Sequence, residues 1–301
     1  MKVDYVAFDS MGVKSMCFRV KTQDLTVTVD PGAAIETNSF PLPLKEREKL
    51  VAGYHKKIKN SCRRSDLIVI THYHYDHYTP EKSMYEGKQL LIKDPRKYIK
   101  KSQRARAGKL LSMVEGAPEG VETADGRKFR FGDTSVEFSD ALWHGKRGTH
   151  LGWVLMVNID DGESNLLYTS DLCGVYLREY ADLIIDRNPD ILIMDGFPSY
   201  LLGYVVSYRG LKNALENTIR IIENTDSDYY VIDHHLLRDY RFREIYYEVY
   251  RRAEELGKRI LTAAEVEGKK PAVLAGFKRY GPTRWKKWDN ITFEGINEKY
   301  L

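Results

Sequence analysis

Cysteine is scarce in this chain, and its few positions show no recognisable spacing. Three cysteines occur in 301 residues, at Cys17, Cys62 and Cys173. They cannot build a disulfide framework, and the lack of a CxxC pair disfavours a cysteine zinc site. Thiols used so sparingly fit the reducing cytoplasm, which is the compartment that we predict.

Long apolar runs are also missing. No stretch approaches the roughly 20 consecutive apolar residues that a membrane-spanning helix needs. Residues 1–9 enter directly into an alternating apolar pattern, without the charged head and apolar core of a secretory leader. We therefore expect a soluble protein without a membrane partner. The formal net charge of +4 is too small over this length to imply a nucleic-acid partner by itself.

Short apolar runs separated by helical patterns are what the sequence does contain. Segments at 25–30, 66–71, 190–196 and 228–235 predict β-strands, because each is short, apolar and followed by polar or turn residues. Amphipathic periodicity over 45–60 predicts a helix. No repeat or low-complexity linker divides the chain. We predict one layered domain over residues 1–301, with sheets packed together and helices outside.

Two stretches are rich in basic residues. Residues 80–112 look polar and helical, which predicts a basic helical insertion around 80–115; within it, 88–110 carries nine basic residues and one acidic residue. Residues 278–289 mix basic and aromatic side chains. A solvated helix face and ordinary packing explain such stretches most simply. The functional alternative is a surface that binds phosphates and stacks bases.

The strongest chemical signal is the run "HYHYDH" directly after the strand at 66–71. His72 and His74 are two residues apart, so in an extended segment they point to the same side and can bind one metal ion. Asp76 and His77 follow after a turn and can serve a second ion. Imidazole and carboxylate together suit zinc, and also manganese or iron.

Further metal-capable side chains stand where other apolar runs stop. His144 follows "VEFSDALW", Asp171 follows "NLLYTS", and His235 follows "DYYVIDH". His234 is adjacent to His235, and the two would point to opposite sides if the strand continued. His150 competes with His144 as a candidate, although it sits in the loop "GKRGTH".

Together these motifs resemble the metallo-β-lactamase superfamily of metal-dependent hydrolases. The likeness rests on HxHxDH after a strand, then a distant histidine, an aspartate and a last histidine, with "TVDPG", "YTSDLCG" and "DHHLLRDY" matching its other motifs over roughly residues 1–240. Serine stands at 170 where glycine is commoner. The combination is similar to a group of predicted archaeal hydrolases with no assigned substrate. The resemblance implies an α+β fold, a four-layer αββα sandwich.

The resemblance also implies a role for each ligand. The first of two zinc ions would be held by His72, His74 and His144, the second by Asp76, His77 and His235, and Asp171 would bridge them. A hydroxide between the ions would be the nucleophile, and Asp76 would also orient it. Asp30 would hydrogen-bond a ligand histidine, or simply belong to the turn before "PG". The residues themselves leave open whether His234 or His235 is the last ligand; the resemblance favours His235, and His234 would instead contact the substrate or leaving group. Asp195 would either flank the site or cap a turn.

These implications lead to a binuclear hydrolase that cleaves an ester, lactone, thioester, amide or phosphodiester. A small-molecule substrate is expected. The first alternative is a nuclease acting on RNA or DNA, which the basic stretches alone support. The second is a metal-stabilised binding protein without turnover. The tyrosine-rich segments 198–208 and 240–250 are compatible with a homodimer contact.

Overall fold

Two β-sheets form the centre of the protein, which we describe from a computed structural model over residues 1–227 and 229–283. Six strands follow one another along the chain and across the first sheet: β1 (Lys2–Phe8), β2 (Met16–Lys21), β3 (Thr26–Val29), β4 (Leu67–Ile70), β5 (Gln89–Ile92) and β6 (Gly120–Thr123). β1, β2 and β3 pair antiparallel, whereas β3, β4, β5 and β6 are parallel.

The later strands form a second sheet and a separate two-stranded hairpin. They are β7 (Lys128–Phe131), β8 (Thr134–Phe138), the hairpin strands β9 (Leu142–Trp143) and β10 (Trp153–Val154), then β11 (Val157–Asp160), β12 (Asn165–Tyr168), β13 (Ile191–Asp195), β14 (Tyr229–Asp233) and β15 (Arg259–Leu261). The second sheet has the order β15-β14-β13-β12-β11-β8-β7. Within it, β12, β13 and β14 run parallel.

Helices connect the strands. They are α1 (Leu44–Arg63), α2 (Lys101–Val114), α3 (Arg178–Arg187), α4 (Tyr208–Glu223), α5 (Phe242–Ile245), α6 (Tyr247–Glu255), α7 (Ala263–Val266) and α8 (Ala272–Tyr280). In the part of the chain that the structure describes, short 3-10 helices lie at Asp9–Met11, Lys82–Met84, Ser199–Leu201 and His234–Arg238. The helix predicted over 45–60 and the strands predicted at 66–71 and 190–196 are confirmed.

The side chains of the second sheet alternate between its two faces, one packed against the first sheet and the other against helices. In β13, Ile193 belongs to the core that both sheets share, whereas Leu192 and Met194 face the core beneath α3 and α4. This is the two-residue periodicity of a strand that is buried on both faces. Ile58 of α1 and Leu110 of α2 pack with the first sheet. The expected four-layer αββα sandwich is confirmed.

The basic segment differs from the helix that we expected over residues 80–112. Its "QLLI" run is strand β5, which pairs with β4 on one side and β6 on the other. The flanking lysines obscure the pattern, because a strand of four residues offers too few positions to outweigh polar neighbours. The helix α2 begins only at Lys101. The stretch 278–289 is described only as far as residue 283, so the prediction for its remainder lies outside the described residues.

No helix within residues 1–227 and 229–283 meets the length and hydrophobicity needed to cross a lipid bilayer. The architecture does concentrate polar groups at one place. Because parallel strands end at the same edge of a sheet, the residues that follow β3 and β4 in one sheet, and β12, β13 and β14 in the other, end in a common region. Most candidate metal ligands occupy these strand ends, and His144 follows the hairpin strand β9.

Candidate metal centre

Backbone strain marks the strand ends that carry the site. Residues other than glycine with positive φ there include Asp30 (47°), Ser170 (53°), Cys173 (53°) and His234 (62°). A left-handed conformation costs such residues roughly 1–2 kcal/mol. Strain of this kind persists where the surrounding structure holds it, and it concentrates at functional sites.

A first ligand group forms around the start of the HxHxDH motif. One nitrogen or oxygen from each of four residues lies within 4.8 Å of the others: His72, His74, His144 and Asp171. The Nε2 of His72 lies 3.1 Å from the Nδ1 of His74, and the Nε2 of His144 lies 3.0 Å from the carboxylate of Asp171. Three imidazoles and one carboxylate therefore converge on one point.

A second ligand group lies on the other side of Asp171. It contains Asp76, His77 and His234, again with one atom of each within 4.8 Å of the others. The Nε2 of His77 is 3.2 Å from Asp171 Oδ1, and the Nε2 of His234 is 3.5 Å from Asp171 Oδ2. Asp171 thus stands between the two groups, with its oxygens turned towards both.

The geometry distinguishes the adjacent histidines that the sequence left open. The Nε2 of His234 lies 3.8 Å from Asp76, while the Nδ1 of His235 lies 2.9 Å from Asp195. The rings do not point to opposite sides, since their centroids are 4.3 Å apart. The reason is that the chain leaves β14 at His234 with a φ of 62° and turns into a 3-10 helix. His235 also lies close enough to Asp171 and His234 to share a metal-capable set with them.

Buried carboxylates support the second ligand group from behind. The Nδ1 of His77 donates to Asp30 over 2.8 Å, and the Nδ1 of His234 donates to Asp9 over 2.7 Å. The hydrogen bond from the motif to Asp30, which the resemblance implied, is therefore present. A carboxylate at the far nitrogen fixes the tautomer, so that Nε2 carries the lone pair needed for a metal.

The two groups differ in their electrostatics. Burial and the neighbouring His77 lower the pKa of His72 well below its usual range, and burial with His144 lowers the pKa of His74 to about 3. Burial also opposes protonation of His77, but Asp171 and Asp30 overcome it and raise the pKa of His77 to about 10. The carboxylates around His77 therefore stabilise a positive charge at this position, which either a proton or a metal cation can supply.

The polar atoms between the groups test whether a cation fits. His77 Nε2 and Asp171 Oδ1 are both buried and lie 3.2 Å apart, but among the described residues neither makes a hydrogen bond of acceptable geometry, with the other or with a third group. Buried polar atoms are nearly always satisfied by protein, water or a ligand. Histidine nitrogens and carboxylate oxygens are also the donor set that zinc prefers. The residues that the fold brings together therefore fit a divalent metal ion.

A cavity of about 450 Å³ opens beside the ligand groups. Apolar and aromatic side chains form much of its wall: Leu151, Tyr176, Pro198, Tyr200, Leu201, Val205 and Val206. The polar groups at its floor include Asp76, His235 and Arg238. His150, which the sequence left as a competitor of His144, is exposed and lines this cavity rather than joining either ligand group.

Sequence reasoning missed three residues of the site. Asp9 follows the apolar strand β1 and binds both His234 and Arg238, so its position at a strand end was the available signal. Arg238 is buried, and its guanidinium lies 3.5 Å from Asp76. Gln103 places its Nε2 3.3 Å from the Nε2 of His74. The sequence around Gln103 and Arg238 carries no comparable signal, because their contacts depend on tertiary packing.

The fold and the cluster of histidines and aspartates at its strand ends define a protein of the metallo-β-lactamase fold. Among solved structures, CmlA, a diiron β-hydroxylase from Streptomyces venezuelae, is similar with a TM-score of 0.53 and 16% identity over 87% of this chain and 52% of CmlA. This chain therefore spans about half the length of CmlA. The metallo-β-lactamase fold protein YhfI from Bacillus subtilis matches with a TM-score of 0.48 and 14% identity over 82% of this chain and 88% of YhfI.

Sequence comparison identifies the family. The chain is 38% identical over 273 residues to a UPF0282 protein of Korarchaeum cryptofilum, which covers 89% of this chain and 90% of that protein. It is 35% identical over 285 residues to a UPF0282 protein of Metallosphaera sedula, and the match covers 93% of this chain and 92% of that protein. The chain belongs to the UPF0282 family, and the expected likeness to an archaeal group is confirmed. No family profile matches the chain.

Proposed function

We propose that this protein is a binuclear metal-dependent hydrolase. The observation that carries the proposal is the position of Asp171, one buried carboxylate between two groups of metal-capable side chains. A purely structural zinc site is closed and mononuclear in most proteins, whereas this arrangement borders an open cavity. The same cavity would give a substrate access to both ions.

The ligand groups define how two ions would be held. His72, His74 and His144 would bind the first ion, and Asp171 would contribute to both. Zinc is the expected metal, with manganese or iron as alternatives, because imidazole and carboxylate ligands suit all three. When bound, the ions would supply Lewis acidity and activate a water molecule as the nucleophile.

The second ion would be held by Asp76, His77 and His234 in this proposal. His234 takes the place of His235 because its Nε2 faces Asp76 and Asp171, and because Asp9 fixes its tautomer. Replacing His234 with alanine should remove about one metal ion per chain. The matched variant His235→Ala should keep both ions, measured by elemental analysis of purified protein.

The side chains around the ions would divide the remaining work. Asp76 is partly exposed to the cavity, so it can orient the nucleophilic water as well as bind metal. Arg238 lies 3.5 Å from this carboxylate and would balance its charge. His235 lines the cavity with its Nδ1 held by Asp195, which leaves its Nε2 to contact the substrate or the leaving group.

The cavity supports a substrate that presents one hydrolysable bond to the floor and an apolar or aromatic group to the wall. An ester, lactone, thioester, amide or phosphodiester satisfies this description. The volume of about 450 Å³ lies in the range of small-molecule sites. A second candidate is hydrolysis of nucleic acid. It is favoured by a cationic and aromatic surface beside His74, where Lys100 lies over Trp153 and Arg106 over Tyr75.

The experiment combines metal analysis with a substrate screen. Protein purified without added metal should contain two divalent ions per chain and hydrolyse at least one member of a panel of p-nitrophenyl esters, lactones, bis(p-nitrophenyl) phosphate and short oligonucleotides. His74→Ala should abolish turnover, whereas His55→Ala, at a histidine on α1 outside the ligand groups, should retain it. Two ions without turnover on any substrate would favour the metal-stabilised binding protein instead. Absence of metal after reconstitution would contradict the ligand assignment.

A further inference from the structure

The surface that borders His74 carries cations lying over aromatic rings. We call this surface the His74 rim and define it by six residues: Tyr75, Tyr98, Lys100, Arg106, Trp143 and Trp153. The Nζ of Lys100 lies 5.2 Å from the ring centroid of Trp153 and 5.8 Å from that of Trp143. The guanidinium of Arg106 lies 4.8 Å from the ring centroid of Tyr75. The rim therefore contains two separate cation–aromatic pairs.

Along the chain, a residue that contacts the metal centre lies between the cations of these two pairs. Gln103, three residues after Lys100 and three before Arg106, contacts the imidazole of His74 with its Nε2 at 3.3 Å. Its Oε1 accepts a hydrogen bond from the backbone N–H of Tyr73 over 3.2 Å. Within α2, Gln103 and Arg106 lie on neighbouring turns of one face, and Lys100 is the residue directly before the helix. A chain bound across both pairs would therefore pass the edge of the metal centre.

The rim belongs to a segment whose positive charge is left unbalanced. Within residues 1–227 and 229–283, seven cations of this segment have no carboxylate within ion-pair distance: Arg96, Lys97, Lys100, Lys101, Arg104, Arg106 and Lys109. Elsewhere the protein does pair such groups, as in α6, where Arg251 and Arg252 bind surrounding glutamates. A local excess of unpaired cations attracts polyanions.

Two tyrosines of the rim are exposed and can stack on bases, whereas Trp143 and Trp153 are stacked on each other. Tyr98 is 66% exposed and Tyr75 is 45% exposed. Tyr98 also adopts a φ of 45°, a strained conformation for a bulky residue. The centroid of its ring lies 6.0 Å from that of Trp153. Exposed aromatic faces beside cations bind unstacked bases, whereas the bases of a duplex are already stacked on each other.

We propose that the His74 rim binds single-stranded nucleic acid and guides its backbone past the metal centre. The proposal rests on the hydrolase function proposed above and specifies its bond as a phosphodiester. In that reaction the oxygen of water forms a new bond to phosphorus. The bond from phosphorus to the departing nucleoside oxygen breaks, and that oxygen takes a proton from the water. The products are a phosphate monoester and an alcohol.

Binding can be measured separately from cleavage. Fluorescence anisotropy of labelled 12-nucleotide dT and U oligomers, in chelator-treated protein, reports affinity without hydrolysis. Phosphate contacts and base stacking are common to RNA and DNA, so binding of either oligomer supports the proposal. A 12-base-pair duplex is the comparison ligand, and it should bind more weakly than the single strand.

A charge-matched pair of double variants tests the cations. The double variant Lys100→Gln with Arg106→Gln removes the rim cations. The control, Lys101→Gln with Lys109→Gln, removes two charges of α2 that lie outside the rim. The first should weaken single-strand binding about tenfold or more at moderate salt, while the second should change it less than about threefold. Since each phosphate contact on a single strand contributes about 0.7 to the salt slope, the rim variant should lower the slope by about 1.4.

A second pair of variants tests the stacking. Tyr98→Ala should weaken binding of the single strand by about fivefold or more, because loss of one stacked base costs at least this much. Tyr247→Ala removes a tyrosine of similar exposure (59%) from α6 and should leave binding unchanged. Thermal unfolding of each variant checks that the fold survives. Duplex binding should not respond to Tyr98→Ala.

Three results would overturn the proposal: no oligomer binding at low salt, equal loss in both double variants, or a duplex that binds as tightly as the single strand. Metal content and ester turnover of the wild type keep the two hypotheses apart. Two bound ions with ester turnover but no oligomer binding would reject the rim and leave the hydrolase. Rim-dependent binding without metal or turnover would support the rim and reject the hydrolase.

Discussion

The two ligand groups share Asp171 but are held by different kinds of neighbours. In the first group, the Nδ1 of His72 lies 3.2 Å from the hydroxyl of Thr71 and 3.4 Å from that of Ser170. The Nδ1 of His144 lies 3.5 Å from the sulfur of Cys173. These neighbours are neutral, and they make weak or long contacts.

In the second group, the Nδ1 atoms of the histidines contact carboxylates instead. His77 donates to Asp30 and His234 donates to Asp9, in both cases over less than 3 Å. Such carboxylates raise the basicity of the imidazole and fix its orientation. The comparison teaches that the second group is oriented by charged hydrogen-bond partners, whereas the first group has only neutral ones at the same nitrogens. Asp9 and His234 are separated by 225 positions.

The largest effect is expected where the two groups meet. Asp171→Asn removes charge from the carboxylate that faces both groups, so metal content should fall below one ion per chain. Turnover should fall by more than about 100-fold, since even changes outside the direct ligands cost about 10- to 100-fold. Asp186→Asn, at an exposed carboxylate of α3, is the control and should retain both ions. If the Asp171→Asn protein keeps two ions and normal turnover, Asp171 does not join the two ligand groups.

Metal removal comes next in size. Chelation should lower the thermal stability of the wild type, because a ligand present at 100 times its Kd stabilises the native state by about 2.7 kcal/mol. Calorimetry with graded chelator should show two steps if the groups bind their ions with different affinities. A single step at every chelator strength would indicate that the neutral and carboxylate neighbours of the two groups give their ions the same affinity.

Asp30→Asn tests the carboxylate support directly. The substitution keeps the size of a side chain that accepts hydrogen bonds from Thr71, His77 and Tyr168. We expect the affinity for one ion to fall about 10- to 100-fold while the other ion is retained. Competition with a coloured chelator would measure both affinities. Equal loss of both ions would show that Asp30 supports the whole centre rather than the second group.

The smallest effect is expected from Ser170→Gly in the first group. Glycine relieves a φ of 53°, which costs serine roughly 1 kcal/mol, and it removes the hydroxyl near His72. These changes oppose each other, so stability should stay within about 1 kcal/mol of the wild type. Metal affinity should change less than tenfold, measured by the same chelator competition. A larger loss would mean that neutral neighbours matter as much as carboxylates.

The sequence predicts the first ligand group better than the second. His72 and His74 are close in sequence, and the apolar run before them predicts strand β4 and therefore their orientation. For the second group, the choice between His234 and His235 depends on a turn with positive φ, which the apolar pattern of "DYYVID" does not indicate. Local periodicity cannot predict such a turn.

Contacts between distant segments account for the rest of what was missed. Asp9, Arg238 and Gln103 join the site only after the two sheets and α2 have packed together. Strand β5 was hidden for a related reason, because Lys88 and Lys93 flank its four residues, and the burial of Lys93 depends on a distant partner, Asp125. The layered fold itself was predictable, since short buried strands and amphipathic helices recur along most of the chain.

The most direct test of the account is a crystal structure of metal-loaded protein with anomalous scattering measured at the zinc edge. The account predicts two peaks on either side of Asp171. One should lie about 2.0–2.1 Å from the nitrogens of His72, His74 and His144, and the other at the same distance from those of His77 and His234. A single peak, or a second peak bound by His235 in place of His234, would contradict it.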